Sequence, residues 1–413
     1  LPVQKEVAMH AFTSITANYV PKARVLAESV KKFHPEARFH LVVSDDLPEH
    51  FHAERERNFF DSVVTIDDLD ISELPSWAFK HSVVEMCTAV KGLAFQHIAA
   101  AHGAEKVFYF DPDMVVMSRL DDLLERLDQA SILVTPHQCV PETEHRAIRD
   151  NEICSLKHGV FNLGFLAVKT AGEGRRFIDW WADRLQHYCF DDIPGGLFTD
   201  QRWVDLLPCF FEDYQVVREP QYNVATWNLS HRRATGESIQ DIRINGRPLA
   251  LYHFSGFDSG DQELMLDVYG RHSPILRKLR SWYIDRCELM GQNDYQQLRC
   301  RFALFDNGEI ISQLHRRIYR SRQDLQRAFP DPFSTGDRKR SYYHWFQHKV
   351  ATDGCTTTRP DLETVEGLRC ELELTRSELD SIKDARSFKL YNLLLSPYRL
   401  LKCRLNPSTP GRR

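Results

Sequence analysis

The run KVFYFDPDMVVM, residues 106–117, sets Asp111 and Asp113 two positions apart inside an otherwise apolar stretch. Residues 107–110 have the β-branched and aromatic bias of a buried strand. Pro112 has no N–H to give to a ladder and interrupts the strand. Both carboxylates therefore belong at a strand end. Two acids that close repel each other, and a divalent cation offsets the repulsion. Oxygen ligands suit Mg2+ or Mn2+, typically held by one or two carboxylates together with substrate phosphates. The plainer reading is an Asp-Pro turn at the surface.

The elements around this triplet predict where it sits. VAMHAFTSI and ARFHLVVSDD read as strands, with YVPKARVLAESVKKF as the helix between them, Pro21 in its first turn. DSVVTIDDL is a third strand. Residues 82–103 carry apolar positions at helical spacing and end on His102-Gly103. LDDLLERL is a short helix and ASILVTP a strand. This alternation predicts an α/β fold, a mostly parallel sheet covered on both faces, with ligands beyond the carboxyl ends of the strands. GVFNLGFLAVKT reads as a strand pair kinked at residues 162–164. GRRFIDWWADRLQHY reads as an amphipathic helix, and IPGGLFTDQRWVDLL as a Gly-rich loop running into another. PLALYHFSGFD is a strand that stops at Ser255-Gly256. Three regions are expected: the α/β domain over 1–260, a helical subdomain over 261–350, and a linker with tail over 351–413.

Composition narrows the class. In 413 residues the formal charge is −5, which gives no reason to expect a nucleic-acid partner. Ten cysteines form no Cys-x-x-Cys pair, which suits reduced thiols in a cytosolic compartment. No run approaches the ~20 apolar residues that span a bilayer, and no signal-peptide pattern opens the chain. Leu1 in place of Met is what a piece of a longer protein would show. Val365, Leu368, Leu372, Thr375, Leu379 and Ile382 step by three and four, a short heptad seam that would pair helices or dock on the body. Residues 386–413 interleave Leu, Tyr and Phe with basic side chains and no acid, which suits peripheral contact with an anionic membrane face.

The segment 106–117 resembles the metal-binding motif of GT-A fold glycosyltransferases, and most closely the retaining family that includes glycogenin and bacterial lipopolysaccharide galactosyl- and glucosyltransferases. Four further stretches match in the family's order. AFTSITANYVPKARVLAESV resembles its nucleotide-binding first strand and helix, which implies Phe12, Thr13 and Tyr19 at the donor. Lys91 stands where an arginine usually reaches toward the donor. FNLGFLAV is similar to the Asn-x-Gly strand, with Asn162 near the sugar. TDQRWVDLL resembles the Asp-Gln signature, carried by Asp200 and Gln201. LYHFSG resembles the C-terminal motif whose histidine, here His253, completes the metal site. The likeness covers roughly residues 5–257. It departs in the proline of the triplet and in lacking the Lys-Pro-Trp that commonly follows, where FDSGDQ stands instead.

The resemblance implies transfer of a hexose from a nucleotide diphosphate sugar, UDP-linked by analogy, to a glycan or lipid-linked glycan acceptor in bacterial surface polysaccharide synthesis. A cation on Asp111, Asp113 and His253 would carry the diphosphate charge, Lys91 would add to it, Asp200 would orient sugar hydroxyls, and Gln201 would lie near the anomeric carbon. Gly195 and Gly196 supply a loop able to close. Asn223, Trp227, Asn228 and Arg232 are candidates for an acceptor groove. Each has a plainer reading: a satisfied strand-end histidine, a bulge at Asn162, a helix cap at Asp200, a core tryptophan. Two rivals from other classes are weaker. A sugar nucleotidylyltransferase wants a Gly-rich phosphate loop that TSITANYVPKAR lacks, and a hydrolase wants clustered His ligands. A sugar-binding scaffold using the heptad segment stays open on sequence.

Overall fold

The computed structural model describes residues 9–353. Its centre is a seven-stranded sheet. In chain order the strands are β1 (His10–Ile15), β2 (Arg38–Val43), β3 (Ser62–Thr65), β4 (Lys106–Phe110), β6 (Ile132–Pro136) and β7 (Phe161–Lys169), with β5 (Met114–Val116) leaving the sheet. The order across the sheet is an edge strand Tyr214–Val216, then β6, β7, β4, β1, β2 and β3. All neighbours run parallel except β7, which is antiparallel to both β4 and β6. The fold is thus the mixed, mostly parallel α/β arrangement expected from the sequence.

Period-2 alternation explains why β4 can be apolar and aromatic from Val107 to Phe110. Val107 and Tyr109 face one core layer with Phe12, Phe95, Leu166 and Trp181. Phe108 and Phe110 face the other with Ala11, Leu26, Phe39 and Phe165. Helices α1 (Val20–Phe33), α2 (Leu74–Lys80), α3 (Val83–Ala89), α4 (Lys91–His102) and α5 (Asp121–Gln129), with the helix Gly172–Tyr188, cover the sheet. A strand buried on both faces carries no polar side chain inside the sheet. Its charges collect at the end.

Three local expectations are corrected. Residues 82–103 form two helices, α3 and α4, because Ser82 opens α3 with a capping box to Glu85 and the chain turns again at Val90. Val84 consequently lies 69% exposed, outside the core stripe. Residues 161–169 are one strand, and the irregularity falls in its pairing with β6 between Val134 and Thr135. The Gly-rich loop before Asp200 is a small hairpin, Asp191–Asp192 against Leu197–Phe198, and the helix after it is only Gln201–Val204.

The chain divides into two compact units at Phe346, so the helices that follow His253, as far as Phe346, share a unit with the sheet. Arg24 of α1 donates to the Met290 carbonyl at 2.7 Å. Buried Arg316 donates to the carbonyls of Phe79 at 3.1 Å and Phe302 at 2.6 Å. Of the second unit only Gln347–Asp353, the end of the helix Tyr342–Asp353, is described. The heptad segment 365–382 and the basic tail 386–413 lie outside the described residues. No described helix is long and apolar enough to cross a membrane. The seven cysteines among the described residues are free thiols.

Buried histidines give the fold an acid-sensitive side. His10 Nδ1 and His40 Nε2 share a hydrogen bond of 2.9 Å, and His102 stacks on His40 at 4.5 Å. Burial, then repulsion from His102, lowers His40 to about 3 and His10 to about 4. Burial likewise lowers His81 to about 3. These folded values lie below the unfolded ~6.5. The stabilisation is therefore complete above that pH and is lost as pH falls toward the folded values. The loss by pH 5 is roughly 2 kcal/mol for one such histidine. Melting temperature should drop between pH 6.5 and 5, and His40→Gln should flatten the slope. A melting temperature constant over that range would contradict the assignment.

Candidate metal and donor site

Beyond Phe110 the chain makes a tight turn. The Asp111 amide donates to the Gly164 carbonyl at 2.7 Å, and the Met114 amide donates to the Asp111 carbonyl at 3.0 Å. Pro112, with no N–H, costs this turn nothing. Strand β5 then pairs antiparallel with Leu251–His253, setting His253 opposite Met114. That register carries a histidine from 140 positions downstream to the acids. His253 Nε2 lies 3.1 Å from Asp113 Oδ1 and 3.7 Å from Asp111 Oδ2. One ligand atom from each of the three falls within 4.8 Å of the others, and no other such group occurs among the described residues. Two carboxylates and an imidazole nitrogen suit a divalent cation.

The histidine is oriented by packing. Its Nδ1 is buried without a hydrogen-bond partner, where a metal-binding imidazole usually has one. The Trp227 ring meets it edge-on at 5.4 Å. Gly164 provides the room, since a Cβ there would lie 2.6 Å from His253 Cε1. Burial opposes a proton on His253, but Asp113 and then Asp111 outweigh it and raise the pKa above the ordinary value. Asp113 is displaced the opposite way: burial raises it, while His253 and Lys22 more than compensate.

Asp111 is gripped from below. Its Oδ1 accepts from Tyr109 Oη at 2.6 Å and from Lys91 Nζ at 3.3 Å, which leaves Oδ2 toward His253. Lys91 opens α4, is 3% exposed, and also donates to Asp200 Oδ2 at 2.8 Å. Its ammonium lies 4.1 Å from the Tyr109 ring centre. Burial alone would lower its pKa, and Asp111 and Asp200 hold it above the usual value instead. Asp200 accepts in addition from Thr199 Oγ1 at 3.0 Å.

The neighbouring amides are locked. Gln201 Oε1 accepts from the Leu163 amide at 3.0 Å, and its Nε2 donates to the His158 carbonyl at 2.8 Å. Asn162 Oδ1 accepts from the Gly164 amide at 3.2 Å and from Asn223 Nδ2 at 3.1 Å. Thus Lys91, Asp111, Asp113, Asn162, Asp200, Gln201 and His253 stand in one connected constellation, with Trp227 packed against His253.

Other candidates are placed differently. Phe12 is fully buried and meets Phe95 and Tyr109 ring to ring, so it supports Tyr109 from within the core. Thr13 is buried with an unpaired hydroxyl. Tyr19 reaches toward the loop after His253 and donates to Asp258. Asn228 and Arg232 turn inward: Asn228 Nδ2 donates to the Asn223 carbonyl at 2.9 Å and Arg232 Nη1 to the Tyr222 carbonyl at 2.6 Å. They brace the loop that carries Asn223 and Trp227. Sequence reasoning missed Tyr109 and His137. Tyr109 was legible, since two positions before Asp111 a strand side chain returns to the same face. His137, 3.3 Å from Asn162 and 5.4 Å from Trp227, directly follows Pro136 at the carboxyl end of β6, a position where ligands gather.

Gly164→Ala tests the arrangement. The added methyl must displace the His253 ring, so Mn2+ affinity measured by calorimetry should fall at least about 10-fold, as for a lost orienting contact. The overpacking should cost about 1–3 kcal/mol, leaving the fold intact. Unchanged affinity would remove His253 from the ligand set.

Residues 10–173 match the family described as Glycosyl transferase family 8. Uncharacterized protein YfnF of Bacillus subtilis (strain 168) is 25% identical over 175 residues, which cover 42% of this chain and 57% of that protein. Uncharacterized protein YfnD of the same organism is 25% identical over 197 residues, 47% and 60% respectively. The matched stretch thus spans less than two thirds of either relative. Among solved structures, the galactosyltransferase LgtC in complex with donor and acceptor sugar analogs superposes with a TM-score of 0.41 at 18% identity, covering 63% of this chain and 95% of that one. The glycosyltransferase GlyE of Streptococcus pneumoniae TIGR4 gives 0.41 at 16% identity, 72% and 66%. The stretch 10–173, which carries Lys91, Asp111, Asp113 and Asn162, is a glycosyl transferase family 8 domain.

Proposed function

We propose that the chain is a divalent-cation-dependent glycosyltransferase that moves a hexose from a nucleoside diphosphate sugar, UDP-linked, to a hydroxyl of a glycan or lipid-linked glycan, with retention of configuration. The observation that carries this reading is the convergence of Asp111, Asp113 and His253 beside a buried, charged Lys91 at the carboxyl end of β4. When bound, Mn2+ or Mg2+ supplies Lewis-acid neutralisation of a diphosphate leaving group. Asp111 and Asp113 contribute the oxygens and His253 the nitrogen that hold it.

The chain's own residues do the rest by position. Lys91 keeps its charge through two carboxylates and adds fixed positive potential where the departing phosphate gathers negative charge. Asp200 is paired with Lys91 and Thr199, which suits holding a sugar hydroxyl better than taking a proton. Gln201 is an amide fixed at both ends, so it can align the anomeric centre and cannot act as a base. The carboxylate next to it in the chain, Asp200, is engaged by Lys91 and Thr199. That supports a retaining course, in which the departing phosphate oxygen receives the acceptor proton. Trp227 offers an aromatic face for the acceptor, braced by Asn228 and Arg232. A role in bacterial surface polysaccharide assembly on the cytoplasmic membrane face, with contact through 386–413 and pairing through 365–382, completes the proposal.

A panel of nucleotide sugars with Mn2+ or Mg2+ tests it by release of the nucleoside diphosphate, and NMR of the product's anomeric centre tests the stereochemistry. Asp113→Asn and His253→Ala should lower kcat on the order of 100-fold or more while keeping a cooperative melt. Absence of nucleotide release with every donor and cation would end the enzyme reading. Loss of the melting transition in either variant would make the cluster structural.

A further inference from the structure

A second buried lysine lies beside the cluster, and the transfer chemistry above gives it no task. Lys22, in the first turn of α1, is 3% exposed. Its ammonium contacts both oxygens of Asp258, at 2.5 and 2.6 Å. The Tyr19 ring lies beneath it at 4.2 Å and the Phe257 ring at 5.3 Å. The partner is unlike it. Asp258 is 55% exposed and sits on the loop between His253 and the helix Asp261–Tyr269. That loop hangs from the cation site itself, because the Phe254 amide donates to the Asp113 carbonyl at 2.8 Å. Helix α1 is tied to the same place, since Ser29 Oγ accepts from the Val116 amide at 3.0 Å. The charge of Lys22 is felt at Asp113, which it helps to hold below the usual carboxylate range.

The charges can be counted. Asp111, Asp113 and Asp200 carry three negative charges, Lys91 carries one positive, and a divalent cation brings the group to neutrality. A diphosphate diester then arrives with two more negative charges. Lys22 is a second lysine whose charge is felt at Asp113, and it stands on helix α1. What covers it is a carboxylate on an exposed loop whose bends at Gly256 and Gly260 have φ of 75° and 84°, open to glycine without strain. The carboxylate is removable and the ammonium is not.

We propose that Lys22 is a phosphate-binding residue of the donor site, and that Asp258 occupies its ammonium until the donor diphosphate displaces it. This rests on the nucleotide-sugar reading above and assigns the residue that binds the leaving group opposite Lys91. The loop 255–260 is released when phosphate takes the place of Asp258, so donor binding and loop opening are one exchange of anions on one lysine.

The two partners should respond in opposite directions, which separates this role from a simple tether. Titration calorimetry with Mn2+ and UDP, repeated with inorganic pyrophosphate as a base-free probe, should show about 10-fold weaker binding for Lys22→Met. Lys22→Arg should retain most of the affinity. Asp258→Asn, at an exposed position, should bind about 3-fold more tightly because its competitor charge is gone. Equal affinity in wild type and Lys22→Met overturns the assignment. So does weakening in both Lys22→Met and Asp258→Asn, the outcome for an ion pair that only holds the loop. If the wild type binds neither probe, this inference and the nucleotide-sugar reading both fail; binding without sugar transfer leaves the lysine's role standing and removes the transferase.

Discussion

The crowding of Asp111, Asp113 and Asp200 at the carboxyl end of β4 is the constraint from which the rest of the site follows. A pair of unit charges about 4 Å apart interacts by about 4 kcal/mol at an effective dielectric of ~20. Asp111 and Asp113 share one cation-sized group with His253, and Asp200 joins them through Lys91, so positive charge must be built in with them. Lys91 supplies one unit and must be buried to do so, which only its two carboxylate partners make tolerable. The shortfall is visible at His253, whose pKa the acids raise against the effect of burial. A cation placed there takes over the role of that proton, and its binding releases it.

The fold's contribution is to bring these groups together without strain at each one. From Val107 to Phe110, β4 can be apolar and aromatic because both of its faces are covered, and so the acids fall at the turn around Pro112. β7 runs antiparallel beside it, which brings Asn162 and Gly164 to the same end of the sheet as Asp111. The ribbon formed by β5 and Leu251–His253 returns the histidine across the gap. Gly164 then decides whether the imidazole fits, since any larger residue would collide with it. Most polar groups around the cluster, Gln201, Asn162, Asn228 and Arg232 among them, bond backbone atoms. These bonds fix the geometry before any ligand arrives.

Much of this was legible in the chain. Apolar, β-branched and aromatic runs pointed to the strands, Pro112 marked where β4 stops, and the order of five short motifs pointed to the family and to Asp111, Asp113 and His253, which the fold brings together. Other elements were not. Val84 fits a helical stripe and lies on the surface, because a cap at Ser82 and a turn at Val90 divide what looks like a single helix. Phe12 has the type and place of a ligand-facing residue, yet the sheet's twist turns it into the core under Tyr109. Asn228 and Arg232 look like binding groups and serve as braces. For Phe12 the deciding contacts come from far away in sequence, whereas Ser82, Asn228 and Arg232 act through partners within ten residues.

By itself, then, the amino-acid sequence determined the chemistry on offer: which side chains carry charge, where strands must end, and which glycines leave room. Those properties are local, set by side-chain type and backbone freedom. Only the tertiary structure decided which charges meet. That Lys91 pairs with Asp200 across 109 positions, that His253 Nε2 comes within 3.1 Å of Asp113, and that Lys22 finds Asp258 across 236 are outcomes of helix and strand packing. Electrostatic energy falls with distance in space and is blind to distance along the chain, so only the folded arrangement could assign it.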